Sequence, residues 1–206
     1  MEDKFNEEGA SLDQNGLDEL LKLMKRLSSK NSIWAFCGRP PKGADSTLYR
    51  KLIEVVQTHG GKAFLDTTGS ALNEGIKASP FCVRVTHEEL YQISGGNFDL
   101  QEGLDWLHEK GVSLAALSAG SDGIAVSYQN EKCQAVPPDI LPVSSVGAGD
   151  ASMAGLIWGS MEDCSAAELA VRAAACGTAS AMQQGTGMGE KELILDLINK
   201  TTVNPI

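Results

Sequence analysis

The stretch Val143-Ser144-Ser145-Val146-Gly147-Ala148-Gly149-Asp150 sets two glycines directly before a run of small and apolar residues, about Asp150 to Gly159. The run reads as a helix. The glycines let successive backbone N–H groups turn toward one point, where the helix dipole adds partial positive charge. Such a point suits a phosphate, or the charge that develops on one during transfer. Asp150 then enters the first helical turn beside it, placed to accept a proton from an attacking hydroxyl. On spacing alone the same Asp reads more readily as a cap after a glycine turn, since short glycine motifs are common. No Lys-Ser or Lys-Thr follows, so this is not a Walker A loop.

Working outward, strands and helices alternate. Ser11 is placed to cap a helix carrying Leu17, Leu20, Leu21, Leu23, Met24 and Leu27 at helical spacing. Residues 32–37 read as a buried strand, and Asp45 or Ser46 can cap a helix that Gly60-Gly61 stops. Lys62–Asp66, Phe81–Val85 and Val112–Leu117 are further strands, with helices from Ser70, from Thr86 and over Asp99–Lys110 between or beside them. Ile124–Tyr128 and Cys133–Val136 form a hairpin around Gln129-Asn130-Glu131. Ser165–Met182 is an Ala-rich core helix, and a last helix over Glu190–Lys200 trails into a polar end. Short apolar strands alternating with helices predict one α/β domain with a mostly parallel sheet covered on both faces.

The composition excludes several classes. The chain has 206 residues, 42% hydrophobic and 21% charged, with a net charge of -10. That balance is too apolar for disorder and too acidic for broad binding to nucleic acid or anionic lipid. No apolar run reaches the roughly 18 residues of a membrane span, and the acidic start MEDKFNEEGA opposes a signal peptide. Cys37, Cys82, Cys133, Cys164 and Cys176 are scattered, with no CxxC pair, so reduced thiols and a cytoplasmic location are expected. His59, His87 and His108 read as surface or helix-terminal residues rather than metal ligands.

Two more glycine turns follow strands: Gly38-Arg39-Pro40-Pro41-Lys42-Gly43 and Ser118-Ala119-Gly120-Ser121-Asp122-Gly123. Taken alone, the first reads equally as a rigid connection with solvated charges and the second equally as a simple strand-to-strand turn. Together with Gly147–Asp150 they gather at the carboxyl edge of one sheet, where ligands of open α/β sheets bind.

Taken in order, these motifs resemble the ribokinase-like (PfkB) carbohydrate kinases, in their 1-phosphofructokinase and tagatose-6-phosphate kinase branch. The branch's Gly-Ser-Leu-Pro-Pro-Gly appears as Gly38–Gly43, its Asp-Thr-Ser-Gly as Asp66-Thr67-Thr68-Gly69, and its Lys-Pro-Asn-x-x-Glu-Leu as Arg84–Leu90. The Ser-Leu-Gly-x-x-Gly turn appears as Ser118–Gly123, the Val-Ser-Thr-Val-Gly-Ala-Gly-Asp signature as Val143–Asp150, and a late Gly-Thr-Gly as Gly185–Gly187. The resemblance implies a three-layer α/β/α ribokinase-like sandwich, with residues 1–206 a single nucleotide-binding domain matching the later two-thirds of a family member. The family's first strands and β-sheet lid then lie outside the match, and Phe5-Asn6-Glu7-Glu8-Gly9 resembles the stretch that follows them. An edge strand is left open by such a match, so a homodimer or a completing chain is expected.

The resemblance further implies an ATP-dependent kinase that uses Mg2+ and a ketose phosphate, fructose 1-phosphate first and tagatose 6-phosphate second. Its alternative is an incomplete nucleotide-binding remnant or one piece of a split kinase. By position, Asp150 would be the base, and the N–H groups of Gly147, Ala148 and Gly149 the anion hole. Ser118, Gly120, Ser121, Gly123, Val136, Pro137, Arg84 and Thr86 would hold ATP. Glu89 would order the metal, and Gly38, Arg39 and Asp66 would face the sugar phosphate. Thr86 stands where the family has Asn, Arg84 where it has Lys, and Arg39 where it has Ser.

Overall fold

The computed structural model describes residues 9–206, so Phe5–Glu8 of the Phe-Asn-Glu-Glu-Gly stretch lie outside the described residues. Helix α1 (Gln14–Leu27) leads to β1 (Ile33–Cys37), α2 (Leu48–Thr58), β2 (Lys62–Asp66), α3 (Gly69–Ile76) and β3 (Cys82–Thr86). Then come α4 (His87–Ser94), α5 (Leu100–Glu109), β4 (Leu114–Ser118), β5 (Ile124–Tyr128) and β6 (Glu131–Val136). Helices α6 (Ala148–Met161), α7 (Ala166–Ala181) and α8 (Lys191–Lys200) precede β7 (Thr202–Pro205).

The strands form one sheet in the order β1 to β7. Pairs from β1 to β4 are parallel, because a helix in each connection returns the chain to the same end. The five residues between β4 and β5 hold only a single turn, so β5 runs antiparallel, and β6 and β7 continue that alternation. Strands β1–β4 and β6 therefore point the same way.

Alternate residues of each strand feed two cores. Leu65, Val83, Val85 and Leu117 pack with Leu52, Ile53, Leu72, Leu104 and Leu107 of α2, α3 and α5. On the other face Phe64, Leu114, Ala116 and Val126 pack with Met153 and Leu156 of α6 and Leu169 and Ala173 of α7. Neighbours such as Phe64 and Leu65 are both fully buried, which is why the strands read as continuous apolar runs. The expected three-layer sandwich is present.

Several local expectations are corrected. Asp13, not Ser11, caps α1, its carboxylate accepting the Gly16 N–H at 2.8 Å; Ser11 instead makes a parallel bridge to Lys42. Thr47 occupies the cap position of α2, and Asp45 accepts from the Thr47 N–H just outside the helix. The polar end is strand β7, pairing Thr202–Pro205 with Val136–Cys133. Every residue of β7 is exposed, so it carries no apolar periodicity, yet it covers the outer edge of β6. His108 lies in the last turn of α5, as expected of a helix-terminal residue, and is half-buried there, bridging the Val112 carbonyl and the Ser127 hydroxyl at 2.7 Å each.

All five cysteines are free thiols, four buried and Cys37 half-buried. Burial, then the nearby Asp66 and Asp150 carboxylates, push the Cys37 thiol up to about 11. Burial, then Glu131, does the same for Cys133, and Cys82, Cys164 and Cys176 are raised chiefly by burial. Thiols of the unfolded chain titrate near about 8.5. Above that pH the unfolded chain releases protons that the fold retains, so stability falls as pH rises. The melting temperature is expected to drop steadily between about pH 9 and pH 11 by circular dichroism; a flat profile there would count against the buried thiols.

Candidate active site

Three polar side chains lie at the carboxyl ends of adjacent parallel strands. Asp66 ends β2, Arg84 sits near the end of β3, and Ser118 ends β4. Each lies an even number of residues from a partner facing α6 and α7 (Phe64, Cys82 and Ala116), so all three emerge on that face. Arg84 donates from Nε to Asp66 Oδ2 at 2.6 Å and from Nη2 to Oδ1 at 3.1 Å, and from Nη1 to the Ser118 hydroxyl at 2.8 Å. Both partners of the ion pair are 10% exposed. Burial alone would lower the Arg84 pKa, but the Asp66 carboxylate outweighs it and the net direction is up, with Glu89 and Asp150 adding to it. Arg84 is a fixed cation.

Against it lies the glycine turn. Gly147 adopts a left-handed conformation as the cap residue of α6, with Ala148, Gly149 and Asp150 in the first turn. The first N–H groups of that turn have no partner within the helix. The approach to the turn is anchored on α7, where the Ala181 carbonyl accepts from the N–H groups of Val143 and Ser144 at 2.8 and 3.2 Å. The Ser180 hydroxyl donates to the Gly187 carbonyl at 2.8 Å, drawing the late Gly-Thr-Gly turn to the same place. A Cβ on Gly149 would sit 2.5 Å from Arg84 Nη2, so glycine here is a condition of the guanidinium's position.

Two clefts open at this edge. One, of about 990 Å³, is lined by Gly38, Arg39, Asp66, Gly147 and Asp150 among others. The second, of about 570 Å³, is lined by Thr86, Ser118, Gly120, Ser121, Gly123 and Pro137, with Ala148 at its inner end. Arg84 and Gly149 line both, whereas Asp150 lines only the first. Two expected residues fall elsewhere. Val136 is a half-buried residue of β6 paired with Thr202, and its neighbour Pro137 takes the cleft wall. Glu89 lines neither cleft. Its carboxylate accepts the Thr86 N–H at 2.8 Å while the Thr86 hydroxyl accepts the Glu89 N–H at 3.2 Å, a reciprocal cap for α4.

Sequence reasoning missed part of the second cleft. Pro138, Ile140 and Pro142 form a stiff apolar wall, and Gly177 and Thr178 of α7 form its floor. The proline cluster after the hairpin was a usable signal; the α7 residues read as packing because most of that helix is buried. Among the described residues no group of three His, Cys, Asp or Glu is placed to hold a metal, and no helix is long and apolar enough to cross a membrane.

Known proteins are similar to this chain in sequence and in fold. The chain is 26% identical over 206 residues to a 1-phosphofructokinase of Vibrio cholerae, covering 98% of this chain and 65% of that protein. It is 30% identical over 195 residues to a 1-phosphofructokinase of Rhodobacter capsulatus, covering 92% and 62% respectively. The chain thus spans somewhat less than two thirds of the length of these relatives. Among solved structures, phosphofructokinase-2 from Escherichia coli in complex with substrates and products superposes with a TM-score of 0.88 at 21% identity, over 95% of this chain and 65% of that one. A candidate phosphofructokinase from Staphylococcus aureus gives a TM-score of 0.87 at 22% identity, over 98% and 66%. At such identities these structures speak for the fold alone. The sequence profile of the pfkB family carbohydrate kinases, however, matches residues 6–192, and on that match the chain belongs to the pfkB family of carbohydrate kinases.

Proposed function

We propose that this chain carries the phosphoryl-transfer centre of an ATP-dependent sugar-phosphate kinase, with fructose 1-phosphate the acceptor tried first and tagatose 6-phosphate second. One observation carries the reading: two clefts of different lining meet at Arg84 and Gly149, and on the side of the larger one stand the carboxylates of Asp150 and of Asp66, the latter already bound by Arg84. The larger cleft takes the acceptor. Gly38 and Arg39 lie in its wall with Lys42, and these two exposed cations favour a substrate that already bears a phosphate. The smaller cleft takes the nucleotide, with Ser118, Gly120, Ser121 and Gly123 on one side and Pro137 on the other.

In the reaction, the acceptor hydroxyl oxygen bonds to the γ-phosphorus as its proton passes to an Asp150 carboxylate oxygen, and the bond to the β,γ-bridging oxygen breaks to release ADP. The N–H groups of Gly147, Ala148 and Gly149 and the Arg84 guanidinium face the charge on the transferring group. Magnesium fits a site of this kind, since it is held by one or two carboxylates together with phosphate oxygens and needs no full protein cage. Glu89, through the carboxylate oxygen that does not cap α4, is the residue that would help hold it, and bound there it would neutralise charge between the β- and γ-phosphates.

A second reading, one piece of a kinase completed by another chain, is favoured by β1. It is the outer strand on its side among the described residues, and Ala35 on it is exposed. The deciding experiment is ADP release by the folded chain with magnesium, ATP and fructose 1-phosphate. Sugar-dependent turnover is the expected result. ATP binding without turnover would shift the assignment to the second reading.

A further inference from the structure

Asp66 lines the larger cleft, yet its charge is not offered to a sugar. Each carboxylate oxygen accepts a hydrogen bond from Arg84, at 2.6 and 3.1 Å, and the pair is nearly buried. A bare carboxylate would repel a phosphorylated substrate; one bound to a guanidinium does not. Arginine has five N–H donors in a planar fork. Three are committed here, two to Asp66 and one to Ser118. The two left over, one on each terminal nitrogen, sit where both clefts share Arg84 and Gly149. The guanidinium cannot swing away, because Asp66 and Ser118 hold it on two sides and Gly149 is close enough that one methyl group would collide with it.

We propose that Asp66 is a positioning residue that acts solely through Arg84, clamping the guanidinium at the junction of the clefts so that its two remaining donors hold the terminal phosphate of the nucleotide. The inference builds on the proposed function, since it takes the smaller cleft as the nucleotide site. It also gives the arginine a reason. A lysine ammonium is a point charge that could not bind Asp66 through two nitrogens, reach Ser118 and still present donors to a phosphate.

The test compares magnesium-loaded adenylyl imidodiphosphate, which has the terminal phosphate, with ADP, which lacks it. Both are titrated calorimetrically into the wild-type chain, Asp66→Asn, Arg84→Ala and the double variant. Each variant is expected to lose about tenfold or more in affinity for the triphosphate analogue, with ADP affinity nearly unchanged. The double variant should be no worse than Arg84→Ala. Wild-type affinity in Asp66→Asn, or a double loss equal to the product of the single ones, would overturn the clamp. If Asp66→Asn does not fold, Arg84→Lys takes its place: selective loss of the triphosphate analogue supports the clamp and unchanged affinity overturns it. A wild-type chain that binds the analogue without ever phosphorylating fructose 1-phosphate would defeat the proposed acceptor reaction, and these affinities would still decide the clamp. One that binds neither nucleotide would overturn both.

Discussion

Replacing Asp150 by Asn is expected to lower kcat for sugar phosphorylation by about a thousandfold, while ATP affinity stays within about threefold of wild type. The asymmetry follows from where the residue sits. Asp150 is exposed at the first turn of α6 and lines the larger cleft, proposed for the acceptor, but not the smaller one. Asn keeps its shape and hydrogen-bonding reach but cannot take a proton from the hydroxyl. The structural penalty is small, because an exposed carboxylate at a helix N-terminus is worth about 0.3 to 1 kcal/mol to the fold. Steady-state turnover together with calorimetric ATP binding checks both halves. Turnover within tenfold of wild type would remove Asp150 from the base role, and a collapse of ATP affinity would show that it serves the nucleotide instead.

Much of this site was legible in the order of residues, for definite reasons. β2 is bounded by Gly60-Gly61 and by the Asp-Thr-Thr-Gly turn, and its fully buried Ala63, Phe64 and Leu65 leave it no other role. The three glycine turns gather at one edge because each follows the carboxyl end of a strand of the same direction. The Arg84–Asp66 pair was not legible. Its members are 18 residues apart, and only the β2–β3 register, Phe64 opposite Cys82, brings their side chains to the same face. Glu89 carries two readings at once. Thr86-His87-Glu88-Glu89 is a capping box by spacing, and the structure uses one carboxylate oxygen so, while the metal role that the family resemblance implies falls to the other oxygen. Strand β7 escaped because an exposed polar edge strand shows neither apolar alternation nor a buried residue.

Gly123→Ala is expected to cost about 4 kcal/mol of stability, and Gly120→Ala only about 1 to 2 kcal/mol, although the two glycines stand in the same turn. Gly120 has φ +61 and open space where a Cβ would project, so alanine there bears only the cost of a left-handed backbone. Gly123 has φ +87 and ψ -139, a region essentially closed to residues with a side chain. Its Cβ would also lie 1.9 Å from the Ala135 carbonyl oxygen, a backbone atom with no rotamer to yield. Ala135 is paired with Ile124 in the β5–β6 ladder, and the Gly123 carbonyl accepts from the Ala119 N–H at 2.8 Å to close the turn. The methyl group must therefore push β6 away from β5 or open the turn, and either movement displaces the wall of the smaller cleft, the one proposed for the nucleotide. Since domains hold only about 5 to 15 kcal/mol in all, urea unfolding should separate the two variants plainly, with nucleotide affinity lost in the Gly123 variant even where it remains folded. Equal losses in both would mean that the left-handed backbone, and not the contact with Ala135, is what glycine supplies at this turn.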